Sequence, residues 1–334
     1  MNKGPMNIFH DLSALPPELA LTGCAVAVGN FDGVHIGHRR LLDELLGVAR
    51  KRGLVPVILT FFPHPRHFFS DPAETPQITS QPKKMALLAE TGVACVVVLP
   101  FDRALANMEA ETFARDILAG RLHAKVVVIG ENASLGRDKR GNYALLRALG
   151  RELAKDGAGR GFSVRAVPRL RAEQQAVSSG FIRDLILAGR MAEAAELLGR
   201  FHSVDGAVVH GWQRGRQLGF PTANLAPDPD MTPPDGVYAA WAKRGGIYYP
   251  AVVSIGSNPT FGNDGPRLEA HILGFNEDIY NERLSLLFVE RLRELVKFPD
   301  VPALTAQIKA DIVQAKAVLA DTVLRGIAPE PRRG

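Results

Sequence analysis

Through its first half the chain alternates short, nearly uninterrupted apolar runs with stretches whose apolar residues recur at helical spacing. Val26-Ala27-Val28 leads into a stretch that places Leu41, Leu42, Leu45, Leu46 and Ala49 on one helical face. Residues 55–61, 93–99 and 126–129 read as further strands, with helices around 83–90 and 111–119. Strands apolar on both sides, separated by amphipathic helices, predict βα units on a parallel sheet covered on both faces. Such a sheet binds ligands in the crevice at the carboxyl ends of its strands.

The rhythm then changes. Residues 178–200 carry two helical patterns split by Gly189. From Val204 onward the apolar runs are short, at 206–209, 237–241, 249–255, 269–273 and 284–289, with dense turns such as Pro233-Pro234-Asp235-Gly236. This spacing predicts an antiparallel barrel or sandwich. A last helix over 301–319 would pack Leu304, Ile308, Ile312 and Leu319 on one face. The expected division is a first domain over 8–186, a second over 187–322 and a frayed tail over 323–334.

Composition narrows the class. The 334 residues are 46% hydrophobic and 22% charged, which fits a soluble globular chain of about two domains. A net charge of +5 suits anionic substrates. No Lys/Arg stripe marks a nucleic-acid track, so no nucleic-acid partner is expected. Cys24 and Cys95 lie in apolar runs without metal spacing, and predict free thiols in a reducing cytoplasm. No secretion signal is seen, and no apolar stretch approaches the ~18–20 residues that span a bilayer, so no membrane association is expected. Nothing in the sequence sets the oligomeric state.

Candidate chemistry falls in two places. The run Gly29-Asn30-Phe31-Asp32-Gly33-Val34-His35-Ile36-Gly37-His38 lies between the first strand and the first helix. Glycines there allow close backbone approach, and the helix N-terminus offers unpaired N–H groups to phosphate. His35 and His38, three residues apart, share a face and can donate to an α-phosphate. His64 and His67 repeat that spacing, which opens a zinc reading, but no Asp, Glu or Cys is spaced to complete a site.

The second place is Gly211 to Asn224, with Gly215 and then Gly219-Phe220-Pro221-Thr222-Ala223-Asn224. Its glycines permit another phosphate cradle. Thr222 and Asn224 offer neutral oxygens to Mg²⁺, and share one side if the stretch is extended.

Gly29–His38 resembles the GxFDGxHxGH signature of the prokaryotic bifunctional riboflavin kinase/FAD synthetases. Thr60-Phe61-Phe62-Pro63-His64-Pro65 is similar to the family's TFxPHP segment. Ser178-Ser179-Gly180-Phe181-Ile182-Arg183 is similar to its SSTxIR segment, with Gly180 for Thr. The resemblance implies His35, His38 and Arg183 as phosphate ligands, with Gly29, Asn30, Phe31, Asp32, His64, Asn132, Ser178 and Ser179 around the nucleotide and flavin. In the second half, residues 255–261 and Glu269-Ala270-His271-Ile272 follow at the riboflavin kinase spacing, as do segments 234–238 and 291–298. That implies Glu269 as the base on the ribityl hydroxyl, Gly215, Gly219 and Phe220 at the nucleotide, and Thr222 and Asn224 on Mg²⁺.

The implied fold is a Rossmann-like nucleotidyltransferase domain followed by an antiparallel β-barrel kinase domain with a terminal helix. The implied activity is riboflavin to FMN, then FMN to FAD, with ATP as co-substrate. Besides Gly180, two departures stand out. Ala133 and Leu135 replace aromatics in the segment 129–136, and Tyr280-Asn281 stands where Tyr-Gly is common. The first leaves a second reading open, a riboflavin kinase whose first half is a degenerate nucleotide-binding module. His35-Ile36-Gly37-His38 also resembles the class I aminoacyl-tRNA synthetases, but no KMSKS-type loop follows. A flavin or nucleotide sensor without activity would be expected to lack Glu269, Thr222 or Asn224, and all three are present.

Overall fold

The computed structural model describes residues 6–69, 76–172, 175–211, 215, 218–256 and 267–324. It forms two compact units, Met1–Ser178 and Ser179–Gly334.

The first unit runs β1 (Asn7–Phe9), α1 (Pro17–Thr22), β2 (Cys24–Val28), α2 (Ile36–Arg52), β3 (Val55–Phe62), α3 (Pro65–Phe69) and α4 (Gln81–Ala89). It continues through β4 (Cys95–Pro100), α5 (Arg103–Ala106), α6 (Ala110–Thr112), a π-helix Phe113–Arg121, β5 (Ala124–Gly130), α7 (Tyr143–Leu153) and β6 (Ser163–Val167). A small hairpin, β7 (Arg171–Ala172) and β8 (Gln175–Ala176), follows. Six parallel strands take the order β1-β4-β3-β2-β5-β6.

Alternation along β2 shows why the run is apolar throughout. Cys24, Val26 and Val28 pack with Phe113, Ile117 and Leu149, whereas Ala25 and Ala27 pack beneath Leu41, Leu42 and Leu45 of α2. Each leucine buried there contributes about 1.5–3 kcal/mol. The winding goes outward from β2 to β3 and β4, then resumes at β5 on the other side. The switch point therefore lies between β2 and β5, and the loops that follow β2, β3 and β5 share one edge of the sheet.

The second unit opens with α8 (Ser179–Leu187) and α9 (Met191–Leu198), which pack on each other. The strands β9 (His202–Val209), β10 (Ala223–Pro227), β11 (Gly236–Arg244), β12 (Ile247–Gly256), β13 (Arg267–Ile272) and β14 (Arg283–Arg293) precede α10 (Val301–Leu324). They close in the order β10-β13-β12-β11-β14-β9, antiparallel throughout, so no strand edge is left free. Val204, Val208, Leu225, Val253, Ala270 and Phe288 fill the interior. Outside, Ala315 and Leu319 of α10 cover Ala239, Trp241 and Val289. Trp241 donates its indole N–H to Thr322 Oγ1 at 3.2 Å, and Arg293 grips Asp311 at 2.8 and 2.9 Å. The buried line of α10 runs through Asp311, Ala315, Leu319 and Thr322, while Leu304, Ile308 and Ile312 are only half-buried.

Candidate active sites

The turn after β2 becomes a site because it is held in a conformation few residues adopt. Phe31, Gly33 and Val34 have φ of 53°, 79° and 40°, and a β-branched residue in that region is strained. Neighbouring segments hold it there. The Asp32 carboxylate, buried, accepts the N–H groups of Thr79 at 3.2 Å and Ile78 at 3.3 Å. Gly33 N–H donates to Thr79 Oγ1 at 3.2 Å. The Asn30 carbonyl accepts from Thr60 Oγ1 at 3.2 Å and from Lys84 Nζ at 3.3 Å. The Phe31 ring is buried in the core and lies 5.2 Å from the His38 ring.

At the end of this turn His35 caps α2, its Nδ1 accepting the His38 N–H at 3.2 Å. The two imidazoles stack, centroids 3.6 Å apart and planes 15° from parallel. His64, after β3, is buried, and its Nδ1 accepts the Arg66 N–H at 3.1 Å. Among the described residues no group of three or more His, Cys, Asp or Glu is placed to hold a metal ion.

Beside this turn opens a cavity of about 710 Å³, within the usual range for a small-molecule site. Gly29 and Asn30 line one side, and Ala133 to Lys139, after β5, line another. Asn132 is exposed and is not part of the lining. The aromatics in the wall are Phe61, Phe69, Phe101 and Phe113. Phe101 meets Phe61 and Phe69 edge-on at 5.9 and 6.1 Å. Arg66, Arg137 and Lys139 bring positive charge to the same wall, which also holds Asp138, and Arg137 is paired with Glu109 and Asp138. Aromatic rings beside cations suit a ligand that is both aromatic and anionic. Phe69, Phe101, Arg137 and Lys84 are absent from the sequence-based site residues, because no spacing joins residues from α3, the end of β4, the loop after β5 and α4.

Ser178 ends the first unit, while Ser179 opens α8 in the second; Arg183, also on α8, is buried.

The second constellation gathers on the outside of the barrel. Leu225 points inward with Ala270 and Leu268, so Asn224 and Glu269 share the outer face, where they are direct cross-strand partners. His271, two residues on, lies on that face, donates Nδ1–H to the Pro221 carbonyl at 2.8 Å, and meets the Phe220 ring edge-on at 5.7 Å. Phe220 N–H and Leu218 N–H both donate to the Gly215 carbonyl, at 2.8 and 3.1 Å, in a turn that carries Gly219 at φ 81°. Gly211 runs against the Asn224 amide so closely that a side chain there would overlap it. Thr222 immediately precedes β10 and lines a cavity of about 180 Å³ at the barrel mouth, with Phe275 and Tyr280. Residues 212–214, 216–217 and 257–261, with Phe261, lie outside the described residues. Phe288 is core, whereas Phe275 both packs on the core and lines the mouth cavity.

Two families match this chain in succession: FAD synthetase over residues 18–181 and riboflavin kinase over residues 198–319. The bifunctional riboflavin kinase/FMN adenylyltransferase of Escherichia coli (strain K12) is 33% identical over 309 residues, 92% of this chain and 95% of that protein. The chain belongs to the bifunctional riboflavin kinase/FMN adenylyltransferase family. The family member from Pseudomonas fluorescens is 34% identical and covers 96% of this chain and 100% of its own. Among solved structures, a Streptococcus pneumoniae protein described as a macrolide-efflux protein superposes with a TM-score of 0.82, at 31% identity, over 94% of this chain and 99% of that one. No helix among the described residues is long and apolar enough to cross a membrane.

One departure from the family pattern has an account in the backbone. Asn281 has φ 64°, in the left-handed region where Gly is favoured and Asn is among the few tolerated substitutes. The backbone at this position thus accommodates the asparagine.

Proposed function

We propose that the barrel unit phosphorylates riboflavin to FMN with ATP, and that the sheet unit adenylylates FMN to FAD with a second ATP, releasing pyrophosphate. The assignment places adenylyl transfer in residues 8–186, which takes in most of α8 beyond the sheet unit, and the kinase in 187–322. The observation that carries the dual reading is the cavity beside Gly29 and Asn30, which keeps four phenylalanines and three basic residues although Ala133 and Leu135 are aliphatic. This favours a working flavin site over a degenerate module.

In the kinase reaction Glu269 takes the proton of the ribityl 5′-hydroxyl, whose oxygen bonds to the γ-phosphorus as ADP leaves. Gly215, Gly219 and Phe220 supply the turn that faces the nucleotide, and the Thr222 hydroxyl and Asn224 amide oxygen are hard donors suited to Mg²⁺. That Asn224 lies across from the Glu269 carboxylate supports the fit. Mg²⁺, when bound, offsets the negative charge of the ATP phosphates.

In adenylyl transfer an FMN phosphate oxygen bonds to the α-phosphorus and the bond to pyrophosphate breaks. The nucleophile is already anionic, so positioning and charge stabilisation carry the step. His35 and His38 face the α-phosphate in this reading, with Ser178, Ser179 and Arg183 assigned to the ATP phosphates. Gly29, Phe31, Asp32, His64 and Asn132 shape the surroundings. The proposed setting is a reducing cytoplasm, which the buried free thiols Cys24 and Cys95 support.

The test is chromatography of the flavins formed from riboflavin, ATP and Mg²⁺. FMN followed by FAD is expected. FMN alone would leave the kinase standing and refute the first-unit assignment.

A further inference from the structure

Lys84 is a buried cation with no part in the reaction described above. It is 3% exposed, near the start of α4, and its Nζ donates to the Asn30 carbonyl at 3.3 Å. A lysine taken out of water is expensive unless its charge is used. The charge reaches the underside of the strained turn between β2 and α2, which ends on the His35–His38 pair. Residues 78–84 supply four bonds that hold that turn: Ile78 and Thr79 N–H donate to Asp32, Thr79 Oγ1 accepts from Gly33 N–H, and Lys84 donates to the Asn30 carbonyl.

We infer that Lys84 is a positioning residue for adenylyl transfer, whose ammonium holds the Asn30 carbonyl and, with Asp32, fixes the phosphate-facing turn. This rests on the assignment of that turn to the ATP α-phosphate. Burial lowers the Lys84 pKa to about 8, with Asp32 acting in the opposite direction. The other ionisable groups on the turn, α2 and α4 are His35, His38, Arg39, Arg40, Asp43, Glu44, Arg50, Lys51, Arg52 and Lys83, and Glu90, just after α4, pairs with Arg39 at 3.6 Å.

The sign of the pH effect separates positioning from stability. Below about pH 8 folded and unfolded chains both hold this proton, and the burial penalty is fully present. Between about 8 and the ordinary lysine value of 10.5 the folded chain releases it, so the penalty fades while the turn loses its charged donor. Stability from this group therefore improves over the window in which adenylyl transfer declines.

The full-length chain and the variants K84M and K84R are assayed between about pH 6.5 and 10 for two separate reactions, FMN to FAD and riboflavin to FMN. In the wild type, FAD formation is expected to fall above about pH 8 on a limb that the kinase rate lacks. K84M is expected to form FAD about tenfold more slowly or worse at neutral pH, with kinase unchanged. K84R, charged throughout, is expected to keep FAD formation and lose the limb. FAD formation by K84M at the wild-type rate, or a limb that persists in K84R, overturns the proposal. If K84M loses both reactions through misfolding, the presence of the limb in wild type and its absence in K84R decide the matter. A wild type that makes FMN and no FAD instead refutes the assignment of the first unit, and this proposal with it.

Discussion

Asn224 stands directly across the β10–β13 ladder from Glu269, on the outer face of the barrel. In an antiparallel pair such residues hold their Cβ atoms about 4.5–5.5 Å apart, close enough to share one cation and its ligand. The two have separable duties in the proposed kinase site. Glu269→Gln is expected to lower the riboflavin phosphorylation rate by about 10²–10⁴-fold while FAD formation from supplied FMN continues. Asn224→Ala should instead raise the Mg²⁺ concentration needed for half-maximal kinase rate. Both follow from flavin chromatography, and loss of both reactions in Glu269→Gln would sink the two-site arrangement.

His35 and His38 differ in what they hold up. His38 presents its ring in the stack, whereas His35 also caps α2 through Nδ1. His38→Ala should let FMN accumulate without FAD. His35→Ala should do the same and also lower stability by about 0.5–2 kcal/mol, the usual effect of losing an N-cap. His35→Asn, which retains a capping oxygen, should recover the stability without the FAD. Thermal unfolding beside the FAD assay distinguishes these, and unaltered FAD production in His38→Ala refutes the role of the pair.

The fold was legible where burial writes a strong pattern. The strands β2 to β5 are apolar on both faces, and α2 carries its leucines on one side, so each stood out as an unbroken run or a clear period. The edge strands did not. β1 is three residues long and mostly exposed, and β6, Ser163–Val167, carries Arg165 on the solvent side. The helix α7 carries a signal in its cap and period, Asn142 accepting the Leu145 N–H and Leu146, Leu149 and Leu153 buried along one face. At the sites, contiguous motifs were legible and dispersed groups were not. Lys84 acquires a role only once α4 is known to lie under the Asn30 carbonyl, and Thr222 turns out to precede its strand rather than to lie within it.

The aliphatic pair Ala133 and Leu135 need not deprive the first unit of a flavin surface, because Phe69 and Phe101 lie in the same wall. Phe69 is 71% exposed, an unusual position for so large an apolar ring, and a bound isoalloxazine would cover it. Stacking on an aromatic ring contributes about 0.5–1.5 kcal/mol beyond area burial, so Phe69→Ala should raise the KM for FMN by about fivefold or more. The KM for riboflavin in the kinase reaction should not move. Steady-state adenylylation rates across FMN concentrations check this, and an unchanged KM would place the flavin elsewhere.

The loop that carries Ala133 and Leu135 has its own anchor at Gly136. This residue has φ 71°, and a Cβ there would lie 2.6 Å from both Cα and N of Ala110 on α6. Neither contact is with a flexible side chain, so the loop would have to lift away from α6. Three further bonds resist that movement: Arg137 N–H to the Met108 carbonyl at 2.8 Å and the paired Leu135 and Gly141 backbone bonds at 3.1 and 2.9 Å. Arg137 is also ion-paired with Glu109. Strain of this kind must be met either by loss of those bonds or by an unfavourable backbone, which together amount to about 1–3 kcal/mol. Gly136→Ala is therefore expected to lower the unfolding temperature and to displace the wall of the 710 Å³ cavity. FAD formation should fall well below its wild-type rate while FMN formation from riboflavin, in the other unit, is retained. If the variant unfolds as the wild type does and makes FAD at the same rate, the loop is not the rigid wall that its contacts with α6 imply.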